Sequence, residues 1–383
     1  MLILTLMLAT LLMVVMQMLT YRRFGLRSLH YTARFDTRRV SEGDRFHFVE
    51  IIWNTAFIPM PWVRVESAFD LSLRFHGDAD RRIRLGTQYH QFHYSVFTLP
   101  ARTKVTREHE VVAERRGVYH LDGAAMTTGD LFGLHTNTKH VASSGQLIVY
   151  PRILDLRDLP VPVHRWLGEL RIRRSTVDDP FLTSGVREYV QGDPMRLINW
   201  KATARTGDLM VHRRDYTADA QIVIYLNVED SFHMWNKVSQ PEVIERAIVY
   251  AASAANYAIT NGARVGLVTN AAGLTGPRLP IASGASHLES ILESLARLQL
   301  ERQLDFTNLL EEDVRSRVTN QNLLVLTTYV DGEMEEVLLR LQQHGNTVTI
   351  VNPTQLVDGL EARAAATAGP EGGERTVKRE RTV

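Results

Sequence analysis

The sequence predicts an α+β multidomain chain: an N-terminal transmembrane helix, a β-sandwich-like domain, then an α/β domain built on an open parallel sheet. Three observations carry this. Residues 1–20 hold no charged side chain and are rich in Leu and Met. Residues 31–150 read as short runs of aromatic and β-branched residues with no convincing helix between them. From Gln221 the period changes, and short continuous apolar runs alternate with helical stretches. The expected organisation is a transmembrane anchor over 1–20, a β-sandwich-like domain over 31–150, a connecting region over 151–220, an α/β domain over 221–360 and a disordered tail over 361–383.

Twenty helical residues span about 30 Å, the thickness of a bilayer core. Arg22, Arg23 and Arg27 follow the apolar run at once. A cleaved secretory signal has a positive start and a small-residue cleavage site. Here the start is uncharged and no such site precedes the arginines, so the segment reads as an uncleaved anchor. The positive-inside rule then places a single-pass protein in the cytoplasmic membrane with the bulk of the chain in the cytoplasm.

Composition narrows the function classes. The 383 residues, 44% apolar and 23% charged, are ordinary for a folded chain of two to three domains. A formal net charge of +1 supplies no global field to attract nucleic acid. The absence of cysteine excludes disulfides, thiol catalysis and cysteine-ligated zinc.

In the β region the strand-like runs are 45–53, 62–66, 89–97, 104–113 and 117–121, with Asn54, Pro59 and Pro61 breaking between the first two. Short strands at this spacing suggest a sandwich. His90 and His93 are three apart in a strand-like run and point to opposite faces, which argues against a shared metal ion. In the α/β region the expected strands are 222–226, 263–269, 323–327 and 347–351, and the expected helices are 241–261, 287–300 and 333–344. Strands alternating with helices imply right-handed crossovers over a parallel sheet. Residues 364–383 are Ala, Gly and charge with almost no bulky side chain, hence the disordered tail. Arg171, Arg173 and Arg174, in a Pro-interrupted stretch, read as a solvated face.

The most specific stretch is 187–214. Gly192, Asp193 and Pro194 make a helix start, with Asp193 suited to the N-cap and Pro194 to the first helical position. Gly207 suits the position just past the end, so a helix is expected over 194–206. Met195, Ile198 and Ala202 would face inward. Arg196 and Trp200 share a face, as do Lys201 and Arg205. One reading is an ion-pair network in which Arg187, Arg196 and Arg205 satisfy Glu188, Asp193 and Asp208. The other is an anion or partner site made by Arg196, Lys201, Arg205, Arg213 and Arg214. No nucleophile with an adjacent base is visible, which argues against an active site.

This stretch resembles the signature of the bacterial family called domain of unknown function 58. The pieces Ser41 to Asp44, Glu114 to Tyr119, Gly129 to Leu134 and Val149 to Arg152 resemble further landmarks of that family. Members often carry two membrane spans, and this sequence carries one. The resemblance implies that the α/β region is von Willebrand factor A-like. In that fold a divalent ion sits at the top of the first strand, held by an Asp-x-Ser-x-Ser loop, a distant Thr and a distant Asp. Asn227 stands at the first aspartate, Glu229 at the first serine, Ser231 at the second, and Thr307 at the threonine; Thr327 and Thr328 stand where Thr-Asp is expected, with Asp331 beyond. Two carboxylate positions are therefore neutral, and no cofactor is expected, with magnesium the alternative.

The resemblance also implies partners: a MoxR-type AAA+ ATPase and a transglutaminase-like membrane protein. The expected function is a membrane-anchored, non-enzymatic interaction or scaffold protein in envelope-associated assembly or stress response. Its expected binding residues are Arg187, Glu188, Gly192, Asp193, Arg196, Trp200, Lys201, Arg205 and Gly207. The alternatives are a metal-dependent adaptor using Asn227, Glu229, Ser231 and Thr307, and an enzyme acting on an anionic substrate through the basic cluster.

Overall fold

The computed structural model describes residues 2–75, 82–85, 88–130, 135–155, 158–159, 163, 166, 183–190, 195, 198–214, 221–231, 234, 237–274, 276–354 and 378–381. The chain divides into two compact units, Met1–Arg152 with Gly369–Val383, and Ile153–Ala368.

The first unit begins with helix α1 (Leu2–Phe24). Within it, Ile3–Arg23 is long and apolar enough to cross a membrane, with mean hydropathy 2.2. Its Leu and Met side chains are exposed over most of the length. Its last turn is tied down: Tyr21 is buried and its hydroxyl donates to the Pro59 carbonyl at 3.0 Å.

Twelve strands follow: β1 (Leu29–Phe35), β2 (Arg39–Ser41), β3 (Arg45–Asn54), β4 (Met60–Asp70), β5 (Leu73–Phe75), β6 (Arg82–Leu85), β7 (Gln88–Leu99), β8 (Thr103–Ala113), β9 (Gly117–Leu121), β10 (Ala124–Gly129), β11 (Thr136–Val141) and β12 (Gly145–Tyr150). One sheet has the order β1-β3-β8, with β5 also on β8. A second has the order β11-β10-β4-β7-β6, and a third, smaller one pairs β2, β12 and β9. Successive strand residues point to opposite faces. Phe46, Phe48 and Ile52 of the first sheet and Val63, Val65, Phe69, Phe97 and Leu99 of the second therefore share one core. The same phase carries polar residues inward: Glu50 on β3, His93 and Ser95 on β7, and His109 on β8.

The tail departs from expectation. Residues 361–377 lie outside the described residues, but Lys378–Arg381 form a strand, antiparallel to β8 and adding to the edge of the first sheet. An unpaired strand edge offers a row of free backbone donors and acceptors. Four residues with little apolar content can take that place because the pairing needs backbone alone.

The second unit opens with β13 (Thr183–Glu188), α2 (Trp200–Thr206) and β14 (Met210–Arg214). β15 (Gln221–Leu226), α3 (Pro241–Thr260), β16 (Arg264–Thr269), β17 (Arg278–Ala282), α4 (Ala285–Arg297), α5 (Phe306–Arg315), β18 (Asn322–Leu326), α6 (Gly332–Gln343) and β19 (Thr347–Val351) complete it. The sheet order is β17-β16-β15-β18-β19. β16, β15, β18 and β19 run parallel, but β17 is antiparallel at the edge, so the sheet is mixed rather than purely parallel. Val223, Tyr225, Leu323 and Val325 pack against Phe306, Leu310, Met334 and Val337 of α5 and α6. Ile222 and Ile224 point the other way and are equally buried, beside α3. Burial on both faces explains why these strands read as continuous apolar runs. Helix α3 starts on Pro241, and Gly262 just beyond it takes φ 79°, a left-handed stop that glycine adopts without strain.

Candidate functional site

The signature stretch forms a two-stranded ribbon with a short helix on it. β13 and β14 pair antiparallel, with Arg187 opposite Val211 and Glu188 opposite Met210. The helix between them is shorter than the spacing predicts, Trp200–Thr206 rather than 194–206. Its N-cap is Asn199, whose side chain accepts from the Ala202 amide at 3.0 Å. Ile198 sits in a bridge to Val211 instead of a helical turn, because its side chain is buried against the ribbon. Met195, expected inward, is 70% exposed. Gly207 does close the helix, with φ 83°.

No residue of α2 is buried, and Trp200 is 66% exposed with Lys201 and Arg205 beside it in solvent. Glu188 is also exposed. Among the described residues Arg205 and Asp208 make no ion pair, and the Arg187, Asp193 and Arg196 side chains of the expected network lie outside the described ones. Gly192, Asp193 and Arg196 lie outside the described residues, and of Arg187, Arg213 and Arg214 only the backbone is described. The capping and the cation-over-indole contact expected of Asp193 and Arg196 therefore fall outside the described residues.

The second candidate is the strand top. Connections from β15 run to β16 on one side and, later in the chain, to β18 on the other, and ligand crevices in α/β sheets form at that switch point between β15 and β18. Asn227 and Glu229 are both buried there. Their polar atoms are engaged. Asn227 Oδ1 accepts from the Glu229 amide at 2.9 Å and from Asn270 Nδ2 at 2.9 Å, while its Nδ2 donates to Thr327 Oγ1 at 3.1 Å. Glu229 Oε1 accepts from Asn270 Nδ2 at 3.1 Å and the Phe306 amide at 3.3 Å, and Oε2 accepts from the Tyr329 hydroxyl at 2.6 Å. The Arg302 guanidinium lies 3.5 Å from Oε1. Burial, and then the Glu229 carboxylate, push the Tyr329 hydroxyl well above its ordinary pKa.

The other expected ligands stand apart from this network. Ser231 is exposed and its hydroxyl faces Asp230 at 3.4 Å. Thr307 is the second residue of α5 and half-buried. Asp230 accepts from the Ser239 amide and hydroxyl and from the Gln240 amide. Partial burial raises its carboxyl, but those hydrogen bonds outweigh it and hold the acid below its ordinary value. Asp331 caps α6, accepting from the Met334 amide at 2.8 Å.

A third cluster was not legible as a site. Glu50 is fully buried in the first unit, between the two larger sheets. Its Oε1 accepts from the Tyr31 hydroxyl at 2.7 Å, and its Oε2 accepts from Ser95 and lies 2.9 Å from His109 Nε2. His93 Nε2 is 3.3 Å from His109 Nε2 and 3.8 Å from Glu50 Oε2. Burial pushes the Glu50 carboxyl up, but hydrogen bonds from His109, His93 and Ser95 prevail and hold it well below the usual carboxylate range. His93 joins this group as β7 faces the other sheet, and its neighbour there is His109.

Comparison with known proteins gives a family match over part of the chain and one similar protein. Residues 185–365, the signature ribbon and the mixed α/β sheet, match the family described as "Protein of unknown function DUF58". Across most of its length the chain is similar to a protein of Bacillus subtilis (strain 168), the "Uncharacterized protein YeaD". The two are 22% identical over 332 residues, which is 86% of this chain and 76% of that protein. Among solved structures, a CARDB domain from Pyrococcus furiosus is 11% identical with a TM-score of 0.20, covering 32% of this chain and 93% of that one. A cohesin module from a Clostridium perfringens glycoside hydrolase is 10% identical with a TM-score of 0.24, covering 33% of this chain and 98% of that one. Likeness this slight bears on neither fold nor function.

Proposed function

We propose that the protein is a membrane-anchored, non-enzymatic interaction protein. It stands on its N-terminal helix in the cytoplasmic membrane, with the bulk of the chain on the side of Arg22, Arg23 and Arg27. Its partner surface is the α2 face, and the exposed Trp200, on one short helix with the exposed Lys201 and Arg205, is the observation that carries this reading. Large aromatic residues and arginine dominate the energetics of protein interfaces, and most of the Trp200 surface is left in water. The α/β unit is read as a von Willebrand factor A-like module whose strand top is closed by its own hydrogen bonds. The partner is read as a MoxR-type AAA+ ATPase, with a transglutaminase-like membrane protein in the same assembly, in envelope-associated assembly or stress response.

The test is affinity purification from detergent-solubilised native membranes. Wild type is compared with Trp200→Ala/Lys201→Ala/Arg205→Ala after both are shown to melt alike. An AAA+ ATPase held by wild type and lost from the folded variant supports the reading. Equal retention by both overturns the assignment to α2. Binding that depends on added magnesium would favour the metal-dependent adaptor instead.

A further inference from the structure

We propose that Glu50, His93 and His109 form a binding site for a zinc-like divalent transition-metal ion that bridges the two larger sheets of the β unit. The three ligand atoms, Glu50 Oε2, His93 Nε2 and His109 Nε2, are separated by 2.9, 3.3 and 3.8 Å. A triangle with those sides has its centre roughly 2 Å from each corner, which is the bond length of zinc to imidazole nitrogen and carboxylate oxygen. Among the described residues no other group of three His, Asp or Glu side chains converges in this way.

The chemistry of the donors narrows the ion. Two imidazole nitrogens and one carboxylate oxygen suit zinc and its neighbours, whereas magnesium and calcium prefer oxygen alone. The histidine geometry points the same way. Two ring nitrogens that face each other in a dry interior must share a single proton or a cation. Phe75 stacks on the His93 ring at 4.6 Å, and Phe48 and Phe69 complete an apolar wall, so water is excluded from that side. The carboxylate is oriented by Tyr31 and Ser95, the outer hydrogen bonds that fix a metal-bound acid. Ser95 Oγ also lies 3.2 Å from His93 Nε2, which leaves the fourth position to a water from the open side of the site. The route in is the His109 side, where the imidazole keeps 21% of its surface in solvent.

The backbone supports the arrangement independently of the side chains. Glu50 and His109 come from neighbouring strands of one sheet, where Phe48 pairs with His109 and Glu50 with Arg107. His93 and Ser95 come from the facing sheet, opposite Ser67 and Val65 of β4. An ion here fastens two sheets that no disulfide joins, because the chain has no cysteine.

The experiment uses the full chain in detergent, stripped with a chelator, exchanged into chelator-free buffer near neutral pH and titrated with zinc chloride by calorimetry. Wild type is expected to take one zinc per chain at this site and to melt at a higher temperature with zinc than without. His109→Gln, on the solvent edge, is expected to fold as wild type in chelator and to lose at least about tenfold in affinity. Glu50→Gln is expected to lose zinc similarly. Cobalt(II) added to wild type is expected to give the visible absorption of a four-coordinate nitrogen and oxygen site. The proposal is overturned if wild type takes no zinc at micromolar concentration, if the folded His109→Gln protein binds zinc like wild type, or if cobalt gives no such spectrum.

Discussion

Two buried acids behave differently in this chain. Glu229 at the strand top of the α/β unit is surrounded by donors that are already complete: an Asn amide, a backbone amide, a tyrosine hydroxyl and a guanidinium. Glu50 between the sheets of the β unit is surrounded by two imidazoles and two hydroxyls. The groups that face Glu229 present N–H and O–H protons to it, whereas an imidazole nitrogen can present a lone pair to a metal. A buried carboxylate alone therefore says little about a site. Its neighbours decide whether the pocket is closed on itself or ready for an ion.

Removing each acid is the strongest way to break the comparison. Glu50→Ala strands both hydroxyls and both imidazoles in the sandwich core and is expected to cost about 3–5 kcal/mol in chemical denaturation. Glu229→Ala leaves partners that can partly reach water, since the Arg302 side chain is 30% exposed, and is expected to cost about 1–3 kcal/mol. Equal costs, or a larger one at Glu229, would remove the distinction.

Restoring the missing acid sharpens it. Asn227→Asp replaces the donor to Thr327 with a second buried carboxylate beside Glu229, and is expected to cost about 1–3 kcal/mol without added metal. If thermal melting shows the variant unchanged, the strand top is more open than its hydrogen bonds indicate.

Acid offers a milder probe. The folded-state pKa of Glu50 is depressed, so its contribution is complete above the ordinary value of 4.5 and is lost as pH falls through the lower folded value. The β unit is expected to lose stability progressively as pH falls below about 4.5. Asp230 is depressed too, but it lies largely in solvent, so its share in the other unit is smaller. Unit-resolved hydrogen exchange against pH would show which unit opens first. The smallest expected effect on stability is at α2, where Trp200→Ala should change the free energy of unfolding by less than about 0.5 kcal/mol because the ring is in solvent.

How much of this was legible follows from what periodicity can report. The apolar runs at 222–226 and 323–327 announce buried strands because both faces are covered, the run at 347–351 announces the edge strand beside them, and the observed strands fall within a residue or two. β17 was missed because Arg278 and Pro280 interrupt any apolar pattern, yet an antiparallel edge strand needs only one covered face. α5 was missed because its apolar positions are few, Phe306, Leu309, Leu310 and Val314, and its start depends on the Asp305 cap. The start of α2 was placed too early because Asp193 and Pro194 are good starters, while Ile198 buries better in the ribbon than in a helix.

The Glu50 group illustrates a different limit. Alternation along 45–53 puts Glu50 in phase with Phe46, Phe48 and Ile52, which is a legible anomaly: an acid on the inward face. The phases of His93 and His109 carry the same signal. What one sequence does not contain is the register between sheets, and only that brings the three together. Local spacing tested His93 against His90, three residues away, when its partner lay 16 residues along on the next strand.

The most direct measurement is an anomalous difference map at the zinc edge, from crystals of the full chain grown with zinc. The expected result is a peak among Glu50, His93 and His109 and none at Asn227 and Glu229. A peak at the strand top, or an empty sandwich core beside zinc bound elsewhere, would contradict the distinction between the two acids.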